Sequence, residues 1–104
     1  MFKFLFRNNT KYIKKDILKY LLKSNDKEFK LIELKNKFKY SDVFDFVSVL
    51  IDLTKENKIQ MFVRVILEDG TVIGEYKNIM DVPDIINNNI ITPDDLCIMY
   101  RKVV

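Results

Sequence analysis

Lys11, Lys15, Lys19 and Lys23 recur every fourth residue, a spacing that sets them along one side of a helix. A stripe of ammonium groups attracts a polyphosphate backbone without regard to its sequence. Lys35, Lys37 and Lys39 follow nearby in the chain and complete the set of candidate nucleic-acid contacts. None of the seven is an arginine, so the stripe lacks the bidentate group that reads a guanine edge. The same spacing also describes a plain solvated face. The stripe belongs to a wider asymmetry: residues 1–41 hold twelve Lys or Arg against four Asp or Glu, a balance of +8, while residues 42–104 hold six against eleven, a balance of −5. The basic half of one molecule is therefore a complement to the acidic half of another.

Catalytic chemistry finds little to work with. There is no histidine, which removes the commonest general base, and there is neither a glycine-rich phosphate loop nor a cysteine pair for zinc. Glu75-Tyr76-Lys77 matches the short Glu-x-Lys element of one nuclease superfamily, with Asp69 as the nearest upstream carboxylate. Asp69 belongs to an expected hairpin tip and Glu75 lies several residues down the return strand, so the two do not converge on one metal. Asp81, Asp84, Asp94 and Asp95 are oxygen donors of the kind that suit Mg²⁺ or Ca²⁺, but each stands where a helix or turn cap is expected. Cys97, within the apolar run Leu96 to Tyr100, reads as a small buried hydrophobe. The expectation is a non-catalytic chain with no catalytic residue, no metal, no cofactor and no small-molecule substrate.

The elements that position these groups follow from periodicity. Phe2, Phe4 and Phe6 alternate, which suits a short strand with one buried face. Asn9 or Thr10 caps a first helix running to about Ser24, with Ile13, Ile17, Leu18, Leu21 and Leu22 on its inner face. Phe29 leads into a second helix, Leu31 to Phe38, with Leu31, Leu34 and Phe38 inward. Ser41 or Asp42 caps a third helix to about Asn57, with Val43, Phe46, Val47, Leu50 and Leu53 inward. Ile59 to Leu67 and Thr71 to Tyr76 form a β-hairpin around Glu68-Asp69-Gly70, and Gly74 marks a bulge. Asp81-Val82-Pro83 starts a short helix through Ile86, Thr92 to Asp95 turns, and Leu96 to Val103 is a final strand. The class is α+β: a three-helix core, a hairpin, a short helix and a C-terminal strand.

Three short helices with a tight turn before the third, followed by a hairpin, resemble the winged helix-turn-helix superfamily. The resemblance is carried by Ile17-Leu18-Lys19-Tyr20-Leu21-Leu22, by Phe29 and Leu31-Ile32-Glu33-Leu34, and by Leu50-Ile51-Asp52-Leu53 leading into Lys58-Ile59 and the hairpin around Gly70. It covers residues 10–77. Residues 78–104 extend beyond the minimal fold as an elaborated wing, so 1–104 is expected to be a single domain with core 10–77 and extension 78–104.

The resemblance implies that the third helix enters a DNA major groove and that the hairpin is the wing. This sequence departs from that pattern at both places. The third helix presents Asp45, Ser48 and Asp52 on one side, with Asp42 at its start, and the wing tip carries Glu68 and Asp69. Carboxylates repel phosphates. Eight of the eleven residues from Val43 to Leu53 are apolar, more than one inward stripe holds, so Phe44, Val49 and Ile51 are left for the extension to cover or for a partner. Exposed apolar patches on small domains mark protein contacts. Phe44, Asp45, Ser48, Val49 and Asp52 are accordingly the candidate protein-interface residues. The leading expectation is a cytoplasmic, non-membrane binding module for another protein or for itself, as a homodimer or an adaptor in a regulatory assembly. The alternative is a small DNA-binding transcriptional regulator using the basic face of the first two helices. No apolar stretch reaches the length of a signal peptide or a membrane span.

Overall fold

The structure, a computed structural model, describes residues 2–103, with side chains from Thr10 onward. Its class is α+β: three helices, a four-stranded antiparallel sheet and a two-stranded ribbon. Helix α1 spans Phe2–Lys23. Its backbone is already helical at Phe2, so the strand expected over Phe2, Phe4 and Phe6 and the start expected at Asn9 or Thr10 are both corrected. A strand needs a neighbour to satisfy its main-chain groups, whereas a helix satisfies them itself; five alternating residues do not distinguish the two. The inward placing of Phe2, Phe4 and Phe6 lies outside the described side chains. From Ile13 onward, Ile17 and Leu21 repeat every fourth residue and are buried, with Leu18 half-buried beside them. Leu22, expected inside, is exposed.

A three-residue strand, β1 (Glu28–Lys30), precedes α2 (Leu31–Lys37). Leu34 and Phe38 point into the core and Leu31 packs against its edge. Helix α3 (Val43–Lys55) begins at Asp42, whose carboxylate accepts the Phe44 N–H at 2.8 Å, one of the donors a helix start leaves without a partner. It stops in a Schellman turn. Asn57 takes the left-handed conformation (φ 61°), the Lys58 N–H reaches the Leu53 carbonyl and the Asn57 N–H reaches that of Thr54.

The buried face of α3 is Phe46, Val49, Leu50 and Leu53. Val43 and Val47, expected inside, are exposed, and Val49, left off that stripe for the extension or a partner to cover, is 0% exposed. The helix is thus turned about its axis relative to the stripe read from sequence, because this face packs at once on α1 and on the sheet.

Strands β2 (Ile59–Ile66) and β3 (Val72–Tyr76) form the hairpin, and Gly70 supplies the positive φ (88°) its turn requires. Val65 pairs with Gly74 and Ile66 with Val72, so the ladder skips Ile73 and the bulge falls beside Gly74 as expected. The segment expected as a helix from Asp81 to Ile86 is instead a single 3₁₀ turn at Ile79–Asp81 followed by β4 (Ile85–Ile86) and β5 (Asn89–Ile90). Asn87 and Asn88 both have positive φ, 50° and 67°, the two-residue turn that joins tight hairpins. A capping box between Thr92 and Asp95 then leads into β6 (Leu96–Lys102).

The sheet order is β1-β6-β2-β3. The last strand therefore lies in the middle, flanked by the first and second, and closes the sheet under the helices. Phe29, Ile59, Val63, Val65 and Tyr100 are buried; Phe29, Ile59 and Tyr100 join the cluster shared with α1, α2 and α3. Among the described residues no helix is long and apolar enough to cross a membrane.

Candidate functional site

Among the described side chains, the outer face of α3 is the most apolar exposed surface on the three helices. Burial of Phe46, Val49, Leu50 and Leu53 points the opposite side of the helix at solvent, and that side carries Phe44, Val47, Ser48 and Ile51. Phe44 is 83% exposed. An aromatic ring held that far out on a well-packed helix leaves apolar area in water at roughly 25 cal/mol per Å², a standing drive toward association. Asp52 is exposed along one flank of this face. Asp45 is half-buried and accepts the Thr10 hydroxyl at 3.5 Å, while Lys14 pairs with Glu56 farther along. Both contacts tie α3 to α1 and hold the face in position. Of the expected interface residues, then, Phe44, Ser48 and Asp52 share one surface and Asp45 lies at its edge. Val49 does not belong to it, because it is sealed in the core; Val47 and Ile51 take its place.

The C-terminal end of the face runs into a groove of ≈ 660 Å³. Ile51 and Met61 give it apolar walls, and Lys55, Lys77 and Arg101 line it with no carboxylate among its residues. Sequence reading missed it, because its walls come from α3, β2, the end of β3 and β6.

Lys11, Lys15, Lys19 and Lys23 are all exposed. Steps of four residues advance only about 40° around the helix, so the row stays on the side of α1 away from buried Ile13, Ile17 and Leu21. Lys35, Lys37 and Lys39 are exposed as well, and the Lys37 ammonium lies 4.5 Å from the centre of the Tyr20 ring on α1. The structure therefore brings the end of α2 against α1.

Beside them Tyr40 donates its hydroxyl to Asp16 at 2.7 Å. Burial of the hydroxyl end, reinforced by the Asp16 carboxylate, pushes the Tyr40 phenol up to about 12. A raised phenol favours the neutral form in the fold, so its contribution is complete below the unfolded value near 10 and is lost as pH rises toward 12. An ultraviolet titration should show Tyr40 ionising late, and Asp16→Asn should bring it part of the way down. An unchanged curve in that variant counts against the contact.

The far side of the sheet carries an ion-pair network. Glu28 on β1 accepts from Arg101 on β6 at 2.6 Å and from Arg64 on β2 at 2.8 Å; Arg64 also reaches Glu75 on β3 at 3.3 Å. Both guanidinium groups lie over the Phe62 ring, at 5.3 and 4.5 Å. Hydrogen bonds from Arg64, then from Arg101, hold the Glu28 carboxyl below its usual range. Glu75 is thereby occupied as a sheet brace. Asp69 spends its carboxylate on the Thr71 N–H at 2.9 Å within the hairpin turn. Asp95 is taken up in the capping box with Thr92 and Asp81 accepts from Asn78. Among the described residues no three His, Cys, Asp or Glu side chains gather as metal ligands would.

Comparison with known proteins finds no matching family model, no matching curated protein and no matching solved structure.

Proposed function

We propose that this chain is a non-catalytic binding module, built on a winged-helix-like arrangement, that engages another protein or a second copy of itself through the outer face of α3. The observation that carries the reading is the 83% exposure of Phe44 on the same face as Val47 and Ile51. Acidic groups support it from the negative side: Asp52 on this helix and Glu68 and Asp69 at the hairpin tip are exposed, where a groove-reading module would place donors. The Phe44→Asp variant tests it. Asp at the second helical position sits well with the helix dipole, so the variant should fold normally and yet lose association, read by sedimentation or by capture of a defined partner. Association unchanged in Phe44→Asp would sink the reading.

The exposed lysine row on α1 favours a second reading, a DNA-binding regulator that holds the duplex backbone through Lys11, Lys15, Lys19 and Lys23 with Lys35, Lys37 and Lys39. That reading requires duplex binding that weakens steeply with salt and disappears on replacing Lys15, Lys19 and Lys35 by Glu. Absence of binding at low salt removes it.

A further inference from the structure

Residues 78–95 contain four aspartates, Asp81, Asp84, Asp94 and Asp95, and no lysine or arginine. From Ile66 through Ile98 no side chain is buried. The extension instead holds large apolar groups in water: Met80 is 92% exposed and Ile90 75%, with Ile79 and Ile85 also exposed. Strands β4 and β5 pair only with each other, and local devices fix their shape: the Asn87-Asn88 turn, the Thr92–Asp95 capping box, and a bond from the Ile91 N–H to the Asp84 carbonyl. A shaped, acidic and apolar segment that adds nothing buried to the core is built as a contact surface.

The groove at the foot of α3 has the opposite character. Lys55 and Lys77 line it without an ion-pair partner among the described residues; Arg101 lines it too, with its charge already met by Glu28. Ile51 and Met61 supply apolar walls. The groove also contains unmet backbone capacity. The Val103 N–H bonds the Lys58 carbonyl on the β6 side, and the Leu67 N–H bonds Thr71 on the β3 side. Alternation along an antiparallel strand then turns the main-chain N–H and C=O of Met61 toward β3's side. But β3 pairs only from Val63 onward, so Met61 has no ladder partner there. Main-chain groups left open in this way are readily completed by an incoming extended segment.

We infer that the groove of one copy receives the acidic extension, residues 78–95, of a second copy. The inference rests on the reading of the chain as a protein-binding module and goes beyond its α3 face: it adds a second surface, which meets that face at Ile51, and names a second copy as the occupant. Charge complementarity selects the occupant: this segment is the part of the chain that combines clustered carboxylates, exposed apolar side chains and extended backbone. Asn78 both lines the groove and begins the extension. Because donor and acceptor surfaces adjoin, a two-fold dimer makes both contacts at once and closes.

The test is a charge reversal on each side, read by sedimentation equilibrium of the whole chain. Lys55→Glu with Lys77→Glu reverses the groove; Asp84→Lys with Asp94→Lys reverses the extension. All four side chains are exposed and outside the ion-pair network, so each double variant should keep its far-ultraviolet spectrum. Each alone should raise the dimer dissociation constant by about tenfold or more. An equimolar mixture should recover association, since each variant retains the half the other has lost. Met80→Ser should weaken the dimer without touching the charges. Failure of the mixture to recover, or indifference of the dimer to both reversals, overturns the inference. A chain that stays monomeric but loses a defined foreign partner in Phe44→Asp overturns it as well, while leaving the module reading standing. A monomer that also binds nothing through Phe44 overturns both.

Discussion

Val49→Asp is expected to unfold the protein, while Phe44→Asp, five residues away on the same helix, leaves it folded. Val49 is 0% exposed, and the cluster around it, with Ile17, Leu50, Leu53 and Ile59, contains no buried polar group among the described residues. A carboxylate there has neither partner nor water. It either ionises at a cost of several kcal/mol or stays protonated with its hydroxyl unmatched, and both are expensive. Lost packing from the missing methyl groups adds to this. Against a total stability of about 5–15 kcal/mol for a domain of ordinary size, a loss of about 4 kcal/mol or more leaves a chain that is marginal or unfolded at room temperature. Phe44→Asp removes a side chain that packs on little and should stay within about 0.5 kcal/mol of the parent. Urea titrations followed by circular dichroism read both. Equal midpoints for the two variants would mean that α3 is rotated from the orientation described. The pair also guards the functional assay, since loss of binding in Val49→Asp says nothing about the surface.

Arg64→Met is expected to lower stability by about 1–2 kcal/mol, a loss that fades in acid. Arg64 reaches across β6 to Glu28 while pairing with Glu75 beside it, so one guanidinium braces three strands. Exposed pairs are worth little singly, but this side chain is mostly covered and lies over Phe62, which is 7% exposed. Methionine preserves much of the stem and removes the charge, leaving Glu28 and Glu75 to share Arg101. Glu28 titrates below its unfolded value of 4.5. The stability it contributes is therefore present above that value and lost as pH falls through the folded one. Parent and variant curves should draw together as pH falls below 4.5 and on through the lower value of the folded state. A difference that persists unchanged in acid would assign the effect to packing over Phe62 rather than to charge. Arg64 Nε is buried without a hydrogen-bond partner, consistent with a side chain held by its two terminal contacts.

Much of the helical part of this fold was legible from spacing. Ile13, Ile17 and Leu21, Leu34 and Phe38, and Phe46, Leu50 and Leu53 each stand where one buried face requires them, and all are buried. The hairpin with its Gly70 turn and the bulge at Gly74 were legible for the same reason, since turn chemistry is local. The lysine row needed only a helix to become a row, and the acidic content of the third helix and wing tip was plain in residue types alone.

Tertiary structure decided what local pattern leaves open. Strand β1 has three residues and one buried side chain, Phe29; it exists because β6, some seventy residues later, supplies its partner. Helix α3 has apolar residues nearly all round, so several rotations satisfy its own sequence, and only simultaneous packing on α1 and the sheet places Val49 inside and Val47 outside. The Glu28–Arg101 pair joins the first strand to the last across 73 residues of chain, and the cationic groove draws its walls from four elements. Hydrophobic periodicity is set within a few residues and can be read along the chain. Which face of an over-apolar helix is buried, and which distant charges meet, depends on the closing of the sheet by its last strand.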